Sequence, residues 1–263
     1  MKFLCLPGAP GNADANIPSP VKYEHHSDSI EERLSSELES DNTAAFHFTQ
    51  GTIPSLPPPG FDNYFGPFPS FRFLTGDIAW ENHPEVIRNF PKKGNPEDSI
   101  RAIVGGPAED SLRCSRESIK NALDQLLSLI DEDEEIEGII GYSEGAGVGA
   151  SLVLEEQRRF KMCGRAVRIK CAVFISGWPP IYPKTGEVIL ADETEEEIRI
   201  PTVHVLGAND PFVDGSLALY NLCEADSATM FDHGGGHVIP QEERTLRELA
   251  EAVRETVKDG LGG

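Results

Sequence analysis

The stretch GIIGYSEGAGVGA, residues 138–150, decides how this chain folds. An apolar run stops there, a helix of small residues begins, and Ser143 stands at the junction with Gly141 before it and Gly145 after it. A strand-to-helix turn tight enough to lift a side chain clear of a sheet crowds the residues on either side, so both flanks must be small. At the helix N-terminus the Ser143 hydroxyl is exposed for attack, and the backbone N–H of Glu144 can point at a developing oxyanion. A GxSxG pattern also arises by chance in glycine-rich chains, where its serine is an ordinary loop residue. Here the strand IEGII before it and the helix after it favour a nucleophile.

Working outward, short apolar runs recur along the chain with helical patterns between them, the signature of a parallel sheet covered on both faces. The runs are KFLCL (2–6), AAFHF (44–48), AIV (102–104), IEGIIG (136–141), CAVFIS (171–176), PTVHVLG (201–207) and ATMFD (228–232). Ile119, Leu123, Leu126 and Ile130 share one helical face behind a Ser115 cap, and Leu246, Leu249, Val253 and Val257 do the same near the end of the chain. These features predict one α/β domain over residues 1–263, a doubly wound, mostly parallel sheet with helices on both faces. Two segments interrupt the alternation: a Pro- and aromatic-rich insert at about 51–100 and a shorter one at about 177–199.

A serine hydroxyl needs a base, and the base needs an orienting carboxylate. In this fold class they follow the serine in the order Asp or Glu, then His. Three histidines lie downstream. His204 sits inside an apolar run and reads as a sheet position; His233 falls at a strand end. His237 lies further along DHGGGHVIP, between the last strand and the last helix, where a catalytic imidazole is needed. For the carboxylate, Asp210 in GANDPFVD falls just past a strand's C-terminal end, where open parallel sheets gather their catalytic groups. Asp214 reads as a cap for the helix that follows, and Asp232 as the end of a strand. The expected triad is Ser143, Asp210 and His237. The second oxyanion donor is expected in LPGAPGN (6–12), at the N–H of Ala9. No GKS/T or GxGxxG accompanies that loop, so it does not read as a nucleotide site.

Composition narrows the partners. Of 263 residues 44 are acidic and 23 basic, a formal charge of −21, with no basic stripe to attract nucleic acid or an anionic membrane. Five scattered cysteines without a CxxC pair point to a reducing compartment and to neither a disulfide framework nor a zinc site. The start MKFLCLPGAP has only Phe3 to Leu6 as an apolar core, short of the roughly 7 to 15 residues of a signal peptide, and reads as a first buried strand. No run approaches the roughly 18 apolar residues of a membrane span. A soluble, cytoplasmic protein is expected, and the acidic runs DEDEE (131–135) and ADETEEE (191–197) read as solvated surface.

With these residues in view, the chain resembles the fungal family of serine hydrolases, small α/β-hydrolases related to the ovarian tumour suppressor candidate hydrolase. The resemblance spans nearly the whole chain. It rests on LCLPG, the FHFTQGTIPSLPPPGFDNYFGPFPSFRF segment, GYSEGAG, GANDPFVD and HGGGHVIP. The first loop departs from the family's LHG, with Pro7 in place of the histidine. The resemblance implies an esterase or thioesterase that needs no metal or organic cofactor. Its substrate would be a small acyl ester or a thioester on an acyl carrier, with release of a polyketide-type product from a synthase acting in trans. Tyr64, Phe65, Trp178 and Phe212 are candidates for an apolar acyl pocket, or equally for core. The rival expectation is a non-hydrolytic protein of this fold that binds a polyketide intermediate and assists cyclisation or dehydration, with Ser143 silent.

Overall fold

The computed structural model describes residues 1–9, 11, 34–56, 69–76, 94–104 and 114–262. Among the described residues the central sheet has six strands: β1 (Lys2–Leu6), β2 (Ala45–Phe48), β5 (Ile136–Tyr142), β6 (Cys171–Ile175), β7 (Thr202–Leu206) and β8 (Ala228–Asp232). They lie in the order β2-β1-β5-β6-β7-β8, and every neighbouring pair is parallel. Parallel strands cannot be joined by tight hairpins, so each crossover places a helix or loop over a face of the sheet. The winding runs outward from β1 to β2 on one side and from β5 through β8 on the other. The reversal falls between β1 and β5, and ligands of such sheets bind outside the C-terminal ends of the strands at that point.

Side chains alternate accordingly. In β1, Leu4 and Leu6 join the core on one face with Ile119, Leu123, Leu126 and Ile130 of α3 (Arg116–Glu132). Phe3 and Cys5 join the core on the other face with Leu38 of α1 (Ser35–Glu39) and Leu246, Leu249 and Val253 of α6 (Glu243–Gly260). Phe3 to Leu6 are buried within the sheet. Ser115 caps α3 as expected, its side chain accepting from the Ser118 N–H. The remaining helices are α2 (Pro96–Val104), α4 (Glu144–Cys163) and α5 (Val213–Asn221). Among the described residues no helix is long and apolar enough to cross a membrane.

Two expectations change. Residues 102–104 form no strand but the last turn of α2, whose Ile100 and Ile103 are buried against Leu190 and Ala218. A three-residue apolar run has no periodicity of its own, and Glu97, Ile100 and Ile103 place it on a helical face. Asp214 does not cap α5, which begins one residue earlier at Val213 and carries Asp214 in its first turn. Within the aromatic insert, β3 (Ile53–Ser55) and β4 (Ser70–Arg72) form a separate antiparallel pair. Tyr64 and Phe65 lie outside the described residues.

His204 is the one histidine that β7 buries. Its ring meets Phe174 at 5.4 Å and Tyr220 at 5.2 Å, and Nε2 lies 3.1 Å from the Thr202 hydroxyl. Burial pushes its pKa down from 6.5 to about 3. Above pH 6.5 the imidazole is neutral in both folded and unfolded chains; below it only the unfolded chain takes up the proton, so stability drains away as pH falls from 6.5 toward 3. This group alone should contribute a slope of about 1.4 kcal/mol per pH unit in that window. Denaturant titrations at a series of pH values should show that slope flattened in His204→Gln, and an unchanged slope would assign the acid sensitivity elsewhere.

Candidate active site

Ser143 occupies the junction of β5 and α4 with φ +52° and ψ −116°, a conformation that side-chain-bearing residues rarely adopt. Its N–H donates to the Ile175 carbonyl of β6 at 2.9 Å, and its carbonyl accepts from the Ala146 N–H at 3.1 Å. The glycines answer a spatial demand. A Cβ on Gly141 would stand 2.6 Å from the Ala146 Cα, and one on Gly145 would stand 2.6 Å from the Pro7 carbonyl oxygen. Any larger residue at either place would push α4 away from β1 and β5.

Asp210 and His237 reach this junction from the ends of other strands. Asp210 follows β7 in a turn closed by its own N–H on the Gly207 carbonyl, at 2.8 Å, and it is 1% exposed. Its Oδ1 accepts from the Phe212 N–H and its Oδ2 lies 2.8 Å from His237 Nδ1. His237 Nε2 lies 3.0 Å from Ser143 Oγ. A carboxylate only accepts, so Nδ1 carries the proton and Nε2 is left to accept from the serine hydroxyl. Tyr142 donates its hydroxyl to the His237 carbonyl at 3.0 Å, and the Phe212 ring meets the imidazole edge-on at 5.3 Å. The structure therefore brings Ser143, His237 and Asp210 into one hydrogen-bonded chain, able to draw a proton from the serine toward the imidazole.

The loop holding His237 is tied to the loop holding Asp210 by contacts that the sequence reading missed. Asn209 donates its backbone N–H to the Gly235 carbonyl at 2.9 Å and its side-chain amide to the Gly234 carbonyl at 2.7 Å. Asp232 Oδ1 accepts from the Ala208 N–H at 3.0 Å and the Gly234 N–H at 2.8 Å. The carboxylate rejected as an orienting group thus joins the two loops. His233 is half-buried, and its Nδ1 accepts from the Gly235 N–H at 3.3 Å; burial holds it below the ordinary imidazole value. The only advance signal of these ties was the position of Asn209 beside Asp210.

The loop after β1 lies against the same junction. A Cβ on Gly8 would be 3.1 Å from Ser143 Cβ, so Gly8 borders the serine. Glu144 opens α4, where the helix dipole favours negative charge. Trp178, by contrast, turns its ring onto Gly215 and the core shared by α2 and α5. Among the described residues no group of three or more His, Cys, Asp or Glu side chains is placed to hold a metal ion.

A doubly wound parallel sheet with this serine turn at its switch point defines an α/β-hydrolase fold. Residues 1–249 match the family described as Serine hydrolase (FSH1), and the chain belongs to that family of hydrolytic enzymes. It is 28% identical over 256 residues to hydrolase phiM of Talaromyces stipitatus, covering 95% of this chain and 84% of that protein. It is 30% identical over 179 residues to esterase FPY3 of Fusarium mangiferae, covering 64% and 79%. The fold resembles that of acyl-protein thioesterase 2 from Zea mays, with a TM-score of 0.51 and 14% identity over 98% of this chain and 94% of that one.

If Asp232 acts through the loop contacts, Asp232→Ala should lower kcat about tenfold, since small misplacements of catalytic groups are costly. Its stability should fall by about 2 kcal/mol, since two hydrogen bonds worth about 1 kcal/mol each are lost. Steady-state kinetics beside thermal denaturation would check both, and an unchanged kcat would reduce the contact to loop packing.

Proposed function

We propose that the protein cleaves a carboxylic ester or an acyl thioester through an acyl-enzyme on Ser143. The observation that carries this reading is the continuous hydrogen-bonded chain from Ser143 through His237 to the buried Asp210. In the proposed reaction His237 Nε2 takes the hydroxyl proton as Ser143 Oγ bonds to the acyl carbon, and Asp210 holds the imidazolium and its tautomer. The N–H groups of Glu144 and Ala9 stabilise the oxyanion. Collapse of the intermediate breaks the bond to the leaving alcohol or thiol, which receives the proton from His237. Water, activated by the same imidazole, then repeats the sequence and releases the acid.

The substrate we propose is a small acyl ester or an acyl chain held as a thioester on a carrier domain, a polyketide-type product released from a synthase in fungal secondary metabolism. The names hydrolase and esterase of the fungal relatives support the ester side of that range. Phe212, whose ring meets the imidazole edge-on, is proposed to meet the acyl group. The five cysteines stand as free thiols, which suits the cytoplasm.

Intact-mass spectrometry after incubation with a fluorophosphonate should show one adduct on the wild-type chain, mapped to the peptide around Ser143 and lost in Ser143→Ala. That substitution should lower kcat by about ten-thousand-fold or more. Absence of an adduct on folded wild-type protein would refute the nucleophile. Cyclisation of a polyketide intermediate that survives Ser143→Ala would favour the non-hydrolytic alternative.

A further inference from the structure

The side chain of Glu144 has no part in the reaction proposed above, which uses only its N–H. Yet this carboxylate is not turned to solvent. It is 13% exposed, folded back from the first turn of α4 onto the end of β4. Oε1 accepts the Phe73 N–H at 2.7 Å, and Oε2 faces the Arg72 guanidinium, itself 11% exposed, at 3.3 Å. The same strand is fastened to the loop after β1: Phe71 and Gly11 exchange both backbone hydrogen bonds, at 2.9 and 2.7 Å. The position is crowded as well, since a Cβ on Gly51 would run into the Arg72 backbone. Residues 71–73 at the end of β4 therefore touch both segments that carry the proposed oxyanion donors, Gly11 through Phe71 and Glu144 through Arg72 and Phe73.

A carboxylate in this place creates a difficulty that its partner removes. It stands on the residue after the nucleophile, within the reach of an oxyanion forming at Ser143, and a nearby like charge disfavours that anion. Paired with Arg72 and hydrogen-bonded to Phe73, it presents no net charge and acts as a fixed acceptor. We propose that Glu144 and Arg72 form a positioning couple that fixes the distance between the two oxyanion N–H groups and keeps the hole neutral. This rests on Ser143 being the nucleophile with an oxyanion hole at Glu144 and Ala9.

A cycle of Glu144→Gln, Arg72→Met and the double variant tests the couple, with Glu144→Ala beside it and a small aryl ester as substrate. Glutamine retains an acceptor for Phe73 and removes the charge. Glu144→Ala should lower kcat about 10- to 100-fold with KM within about threefold, and Glu144→Gln should recover most of the loss. Arg72→Met should cost at least about tenfold where Glu144 is present and no more than about threefold in the Glu144→Gln background, because only the first leaves a carboxylate without its cation. Affinity for a trifluoromethyl ketone, which forms a tetrahedral oxyanion on the serine, should fall in step with kcat/KM across the set. A merely structural role would leave that correlation flat. Independent effects of the two substitutions, or an inhibitor affinity that does not follow the rate, would overturn the couple even if Glu144→Ala fails to fold. Turnover that persists in Ser143→Ala would instead overturn the nucleophile on which it rests.

Discussion

The backbone at Ser143 constrains everything around it. A φ of +52° on a residue with a side chain costs about 1–3 kcal/mol, and the turn persists because neighbouring structure leaves no alternative. The Ile175 carbonyl holds the Ser143 N–H, and α4 then runs through the core with Ala146, Val148, Ala150, Leu152, Val153 and Leu154 buried. Full burial of a single valine or leucine contributes about 1.5–3 kcal/mol, so two or three of these side chains outweigh the strain. What the strain secures is direction: the hydroxyl leaves the sheet at the end of β5, beside the point where strand winding reverses.

That geometry explains why residues far apart in sequence converge. In a parallel sheet every strand delivers its C-terminal end to the same edge, so the segments after β1, β5, β7 and β8 meet without any long-range design beyond strand order. Order alone leaves errors of several ångströms in how loops hang from the strands. The smaller bonds correct them: Asn209 and Asp232 between the loops of Asp210 and His237, Tyr142 on the His237 carbonyl, and Glu144 on β4.

The sequence carried the sheet and the serine turn because both are written in local patterns. KFLCL and CAVFIS correspond to strands within a residue of their ends, since runs of buried residues flanked by polar or glycine positions have few other uses, and ATMFD matches the largely exposed edge strand β8. AIV was misjudged because three apolar residues fit a helix face as well as a strand. Asp210 and His237 were placed by chain order and loop position. Asp232 and Arg72 were not, because Asp232 contacts backbone N–H groups of two loops and Arg72 the Glu144 carboxylate of α4, and no spacing within their own segments encodes such contacts.

Pro7 shows how a local departure from the family's first loop is accommodated. A proline has no N–H, so it cannot donate to an oxyanion, and any donor from this loop must come from farther along. Its carbonyl, meanwhile, packs beside Gly145 at the opening of α4, and Gly8 sits against Tyr142 and Ser143. The ring fixes φ of Pro7 near −65°; Gly8 after it lies against the serine, and Gly11 joins Phe71. The loop is thus held at both ends, by Gly145 at its start and by β4 at its finish. The proposed Ala9 donor lies between those anchors, which makes its position a property of the hairpin as much as of the loop's own residues.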